Sequence, residues 1–201
     1  MSVQASKPLE TLKVVAIDPA IANWGMAQFE IDLHEHDIDV RLTRLKLVTT
    51  EKSKVKSVRR NSDDLRRAGE LYGETLLFAR GAHCIFAEVP TGSQSARGAM
   101  SNGVCIGVMS ALPYPIHQVM PSETKLAACG TKTASKVEII AWATKLYPDG
   151  EWLRYKRNGT MHLSDANEHL ADAVAIAHAG MKLDSFQQIL QFARARPRAI
   201  A

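Results

Sequence analysis

The stretch Leu12-Lys13-Val14-Val15-Ala16-Ile17-Asp18, followed by Pro19, decides how the rest of the chain is read. It is a short apolar run rich in β-branched residues that ends in an acid. A continuous apolar run of this length is the pattern of a strand buried on both faces. It therefore reads as a central strand that presents Asp18 at its C-terminal end, where Asp18-Pro19 starts a turn. Residues 24–32 read as a second strand, with Trp24, Met26, Gln28 and Glu30 on one face. Residues 40–49 read as a third, less cleanly patterned one, joined to the second by the turn-like 34–39. Together the three form an antiparallel meander.

A second buried-type run, His83-Cys84-Ile85-Phe86-Ala87-Glu88-Val89, again carries an acid near its end and is stopped by Pro90 and Gly92. Between the meander and this strand, a helix is expected from Asn61-Ser62 to about residue 80. Ser62 is its expected N-cap, Asp63 and Asp64 suit its first turn, and Gly81 suits its C-cap. A small-residue helix follows over roughly 95–111, then a short strand over 114–120. Ser122 and Ser135 each open a helical segment, the second over about 134–147; residues 149–163 are polar and loop-like. Residues 165–181 form an Ala-rich helical stretch, and an amphipathic pattern starts at Asp184. The order β-β-β-α-β-α-β-α-α implies an α/β fold, a mixed sheet with helices on both faces. With no repeat and no linker, residues 1–201 read as one domain, with 1–11 as a flexible N-terminus and 194–201 as a basic tail.

With 46% apolar and 23% charged residues, the composition is that of a globular protein. No apolar run reaches the ~18 residues of a membrane span, and the polar opening MSVQASKPLE has no signal-like apolar segment, so a cytoplasmic protein is expected. Cys84, Cys105 and Cys129 are scattered and form no CxxC pair, which argues against structural zinc or a disulfide framework. The net charge of +4 is mild but unevenly spread. Lys52, Lys54, Lys56, Arg59, Arg60, Arg66 and Arg67 crowd one stretch, and Arg194, Arg196 and Arg198 end the chain. Such clusters suit a polyanion, although a solvated basic loop gives the same pattern.

Asp18 and Glu88 each end an apolar strand, and adjacent strands would bring the two carboxylates close. Close carboxylates repel, so one must take a proton or a cation must bind; Mg²⁺ prefers such oxygen ligands. In the late helix Asp165, Glu168, His169 and Asp172 are spaced to share one face, ahead of an apolar run fit only for burial. Taken singly, Asp18 could open a turn, Glu88 could be a surface acid, and Asp165 and Glu168 could serve the helix dipole. Two strand-end acids together with an acid on an apolar helix are what a two-metal phosphoryl-transfer site requires.

Val15-Ala-Ile-Asp-Pro-Ala-Ile-Ala-Asn-Trp-Gly25 resembles the opening of the RuvC-type Holliday junction resolvases of the RNase H-like (retroviral integrase) superfamily. Ile85-Phe-Ala-Glu-Val resembles the strand that bears their second acid, and His169-Leu-Ala-Asp172-Ala-Val-Ala-Ile-Ala their terminal motif. Lys132-Thr-Ala-Ser-Lys136-Val resembles the region before their DNA-facing helix. The ordered set spans about 12–180. It implies an RNase H-like five-stranded mixed sheet, a three-stranded antiparallel meander plus two parallel strands. It also implies a homodimer that cuts four-way DNA junctions by paired nicking, with two Mg²⁺ or Mn²⁺ ions per site. The implied catalytic and metal-binding set is Asp18, Glu88, His169 and Asp172, with Glu168 as the rival to His169. Arg59, Arg60, Ser93, Gln94, Arg97, Lys125, Lys132 and Lys136 are the candidate DNA contacts, with Arg154 and Lys156 of the loop-like stretch expected to help position phosphates, and the helices at 95–111 and after Asn61 are the candidate dimer surface. Two departures stand out: Ala20 replaces the usual glycine after Asp-Pro, and no aromatic residue follows Glu88 in Val89-Pro-Thr-Gly-Ser93. The second bears on the junction-opening contact; the looser match and the short basic tail suggest a divergent member, of phage or plasmid origin. A nuclease for other branched DNA or RNA–DNA hybrids, or a silent junction-binding protein, are the rival readings.

Overall fold

Asp18 ends β1 (Glu10–Asp18), the middle strand of a five-stranded sheet ordered β3-β2-β1-β4-β5. The computed structural model describes residues 10–195. The other strands are β2 (Asn23–Leu33), β3 (Ile38–Thr49), β4 (Cys84–Glu88) and β5 (Ile116–Val119). β1–β2 and β2–β3 pair antiparallel, whereas β1–β4 and β4–β5 pair parallel, so the meander and two parallel strands are as expected. Alternation along β1 sends Val14 and Ala16 to one face and Val15 and Ile17 to the other, and both faces are covered. Helices α1 (Arg60–Phe78) and α2 (Ala96–Ser110) close the Val15–Ile17 face. On the opposite face lie α3 (Pro121–Cys129), α4 (Lys136–Leu146), α5 (Asn167–Gly180) and α6 (Asp184–Ala195). The weak pattern of the third strand has a cause: β3 is an edge strand, and its register slips at a bulge opposite Gln28 and Phe29. Among the described residues no helix is long and apolar enough to cross a membrane.

Several expectations are corrected. β1 begins at Glu10, inside the segment read as flexible; residues 1–9 and 196–201, with Arg196 and Arg198 of the basic tail, lie outside the described residues. Ser62 is not an N-cap: Arg59 holds that position with no side-chain bond, and α1 has ended by Phe78, before Gly81. The helical segment expected to open at Ser122 is α3, where Met120 takes the N-cap and Pro121 the first helical position, a place proline favours because its missing N–H would have had no partner. Ser135 does cap α4, through a reciprocal box with Glu138. The segment 149–163 is not all loop: β6 (Arg154–Arg157) and β7 (Thr160–Leu163) form a separate antiparallel hairpin.

α5 lies across the sheet and is buried nearly all round, from Leu170 and Ala171 through Ala173–Ala177 to Ala179 and Gly180. Its alanines let it come close, and two glycines bring it closer. Gly25 on β2 sits directly opposite Asp18, and a Cβ there would lie 2.1 Å from the backbone oxygen of His169. At the far end a Cβ on Gly180 would lie 2.3 Å from the Phe86 ring. Gly25→Ala is therefore expected to push α5 off the sheet and cost about 3 kcal/mol of stability in urea unfolding. Gly73→Ala in α1, where a Cβ meets nothing within 4 Å, is expected to stabilise by about 0.5–1 kcal/mol in the same experiment.

Candidate active site

The parallel register pairs Ile17 with Ala87, so the next residues, Asp18 and Glu88, end side by side on neighbouring strands. Ile17 and Ala87 point into the α1–α2 side of the core, so alternation turns Asp18 and Glu88 to the α5 side. There α5 delivers two more groups. His169 Nδ1 lies 2.8 Å from Asp18 Oδ2. Asp172, three residues on, shares the same face of the helix. Glu88 Oε1 accepts a hydrogen bond from the Thr124 hydroxyl at 2.6 Å. Glu168, the rival to His169, is engaged elsewhere: the Lys136 ammonium donates to its Oε1.

The charges act on one another. Burial pushes the Asp172 carboxyl up to about 7, and the negative charges of Asp18, Glu88 and Glu168 push it the same way. Glu88 is raised by burial and by Asp18, against the Thr124 hydrogen bond and Lys125. His169 is raised by its hydrogen bond to Asp18, against burial. Three carboxylates thus share one field with too little positive charge to balance them.

That imbalance tests the expected metal. Among the described residues no group of three or more His, Cys, Asp or Glu side chains is already placed to hold a metal ion. The donor chemistry nonetheless fits a hard divalent cation: three carboxylates and an imidazole, with the Asp172 carboxyl pushed up by its burial and its neighbours' charge. A cation bound there would remove the repulsive part of that penalty.

The expected DNA contacts divide. Arg59 and Arg60 are exposed at the start of α1, where Arg60 lines a cleft with Lys52, Ser53, Val58, Asp63 and Arg97. Ser93 and Gln94 are exposed in the loop that follows Glu88, and Lys132 in the turn between α3 and α4. Lys125 is half-buried and close enough to Glu88 to oppose its shift. Lys136 is exposed but ion-paired with Glu168. Arg97 is held by Asp64, its Nη2 donating to Oδ1 at 2.6 Å, so a freely available cation is not what this position offers. Part of the basic stretch 52–67 is likewise structural. Arg66 pairs with Asp63 and Glu70, and Arg67, 2% exposed, donates to Thr50 Oγ1 at 2.8 Å and to the Ile21 carbonyl at 3.1 Å. Asp63 and Asp64, expected to serve the helix dipole, are buried partners in this network.

The network has a positional effect. Arg67 ties α1 to the turn just after Asp18, and Asp64 ties α1 to Arg97 at the start of α2, just after the Glu88 loop. Sequence reasoning missed this, as it missed Thr124 and the part played by Gly25. For Gly25 a signal existed, because a glycine inside a strand marks a close backbone approach. Thr124 gave none, since a threonine in a short helix has many ordinary uses.

Solved structures with the same fold exist. The Thermus thermophilus RuvC in complex with Holliday junction substrate matches with a TM-score of 0.60 at 19% identity, over 90% of this chain and 96% of that one. A second Thermus thermophilus RuvC structure matches with a TM-score of 0.56 at 17% identity, over 90% and 97%. The chain therefore has the RuvC, RNase H-like fold. No protein-family model matches the chain, and no curated protein sequence matches it.

The Asp172 shift sets a pH dependence. Its folded-state pKa of about 7 lies above the ordinary 3.8, so the fold favours the protonated acid. The stability this contributes is complete below about pH 4 and is lost as pH rises through about 7. Metal-free Asp172→Asn is expected to match wild type near pH 4 and to exceed it by at least about 1 kcal/mol at pH 8 in denaturant unfolding. Excess Mg²⁺ is expected to reduce that difference.

Proposed function

We propose, from the RuvC-type fold and the acids gathered at one end of its sheet, that this chain is a metal-dependent endonuclease that resolves four-way DNA junctions by paired nicking. One observation carries the reading: Asp18 on β1, Glu88 on β4 and the His169–Asp172 turn of α5 meet on one side of the sheet, at the ends of its two central parallel strands. A Thermus thermophilus protein of this fold was solved in complex with a Holliday junction substrate, which makes the four-way junction the first substrate to test.

Mg²⁺, with Mn²⁺ as a substitute, would be held by Asp18, Glu88, Asp172 and His169, two ions per site. The chemistry such ions supply is an activated water and neutralisation of the charge that builds on the scissile phosphate and its leaving oxygen. The chain's own groups do the positioning. Asp18 fixes the His169 ring through Nδ1 and raises its affinity for a proton, so the imidazole is a proton carrier beside the carboxylates. Thr124 holds Glu88 in one orientation. Glu168, occupied by Lys136, is assigned to the rim and His169 to the site. Arg59, Arg60, Lys125, Lys132 and the Ser93–Gln94 loop would contact phosphates and so position the DNA without reading its sequence. Paired nicking asks for two copies, and the apolar groove between α1 and α2, lined by Leu65, Ala68, Met100 and Val104, is the surface we assign to the dimer.

The test is a nuclease assay on a labelled four-way junction, with flaps, forks and RNA–DNA hybrids in parallel. Wild type is expected to give symmetric paired nicks only with Mg²⁺ or Mn²⁺. Asp18→Asn is expected to bind the junction and leave it uncut. His169→Ala is expected to lose more than about tenfold in rate while Glu168→Gln stays within a few-fold of wild type. Cutting by Asp18→Asn in Mg²⁺ would sink the site assignment. Preference for another branched substrate would redirect the activity within the same fold, and calorimetry showing no Mg²⁺ binding would favour a silent junction-binding protein.

A further inference from the structure

The β6–β7 hairpin is a sheet of its own, and all eight of its strand residues are exposed. No core cluster includes it, and a lone two-stranded hairpin is marginal in water. Three features hold it in shape. Its turn, Asn158-Gly159, has φ of 49° and 82°, the pair of positive values that a tight type I′ hairpin turn needs. Tyr155 and His162 face each other across the strands with stacked rings, centroids 5.7 Å apart. At the base, the buried Asn167 side chain brackets Leu153, accepting from its N–H and donating to its carbonyl, both at 2.8 Å. Asn167 is the first residue of α5, five before Asp172, or about 8 Å along the helix axis. The hairpin is thus anchored to the helix that carries the candidate catalytic groups.

Its charge is one-sided. Arg154, Lys156 and Arg157 fall within four residues, and no acid occurs between Glu151 and Asp165. Among the described residues none of these three cations makes an ion pair, whereas Arg66, Arg67, Arg97 and Lys136 all do. The register places Arg154 and Lys156 on one face and Arg157 on the other, so together they border the arm rather than cover one side of it. Each strand is about 13 Å long, which spans several phosphates of one DNA strand at about 3.4 Å each along the axis. A pre-formed arm also loses little conformational freedom on binding.

We propose that this hairpin is a DNA-binding arm, in which Arg154, Lys156 and Arg157 hold backbone phosphates of the substrate beside the acids of β1, β4 and α5. The ligand class rests on the nuclease reading above; the placement rests on the Asn167 anchor and the unpaired cations. The arm grips the backbone and reads no base edges, so it strengthens binding to every sequence alike.

The experiment is anisotropy titration of a labelled four-way junction in EDTA, from about 50 to 200 mM salt, where each lost phosphate contact lowers the salt slope by about 0.9. R154A/K156A/R157A is expected to reduce that slope by about 2–3 and to weaken binding more than tenfold at the low-salt end. The charge-conserving R154K/K156R/R157K is expected to keep the wild-type slope, and both variants to keep the wild-type thermal midpoint and sedimentation behaviour. An unchanged slope in the alanine variant overturns the arm. So does a weakened affinity that follows a change in oligomeric state, which would make the hairpin a contact between copies. Cleavage by wild type in Mg²⁺ with the slope unmoved overturns the arm alone. A reduced slope with no cleavage of any branched DNA overturns the nuclease reading and leaves the arm standing.

Discussion

The contact between the backbone of α5 and the sheet at Gly25 is the constraint on which the rest depends. Gly25 lies opposite Asp18, and only the absence of a side chain there lets the His169 carbonyl sit against β2. From that contact follow the short His169–Asp18 hydrogen bond and the burial of Asp172 among other acids. The alanine-rich surface of α5 and the Gly180–Phe86 contact extend the same close packing along the helix. A helix held a side chain's width further out would lose both this close packing and the Asp18–His169 hydrogen bond.

Gathering that charge is unfavourable on its own. The charge of Asp18 raises the proton affinity of Glu88, and the two together raise that of Asp172; the fold tolerates this because the strands that carry Asp18 and Glu88 are buried on both faces and cannot relax apart. Around the acids the chain spends most of its nearby cations on structure. Arg67 and Arg97 secure α1 to the turn after Asp18 and to the start of α2, and Lys136 neutralises Glu168. Among the described residues Arg59, Arg60, Lys132 and the hairpin's Arg154, Lys156 and Arg157 are exposed and make no ion pair, so a polyanion can reach them without displacing a structural bond.

Much of this was legible in the residues. Apolar runs that end in an acid marked both central parallel strands, because a strand buried on two faces needs a continuous apolar stretch whatever surrounds it. The Ala-rich run after Asp172 marked a buried helix for the same reason. The hairpin was hidden because its strands are only four residues each and exposed throughout, too short for alternation such as Thr-Met-His-Leu to be told from a polar loop; its Asn-Gly turn was the one clue. Ser62 misled as a cap because a serine near a helix start is common, and whether it caps depends on where the chain enters the helix.

The sequence by itself determined the five strands of the main sheet, their order along the chain and the acids at the ends of two of them, since those depend on local composition and alternation. It could not decide which of the charged side chains would be spent on one another. That Arg97 serves Asp64, that Glu168 serves Lys136 and leaves Asp18 to His169, and that Arg154, Lys156 and Arg157 make no ion pair among the described residues were decided by the tertiary structure alone. Ion pairs and hydrogen bonds act over a few ångströms between residues far apart in the chain, and those distances exist only once the helices have packed on the sheet.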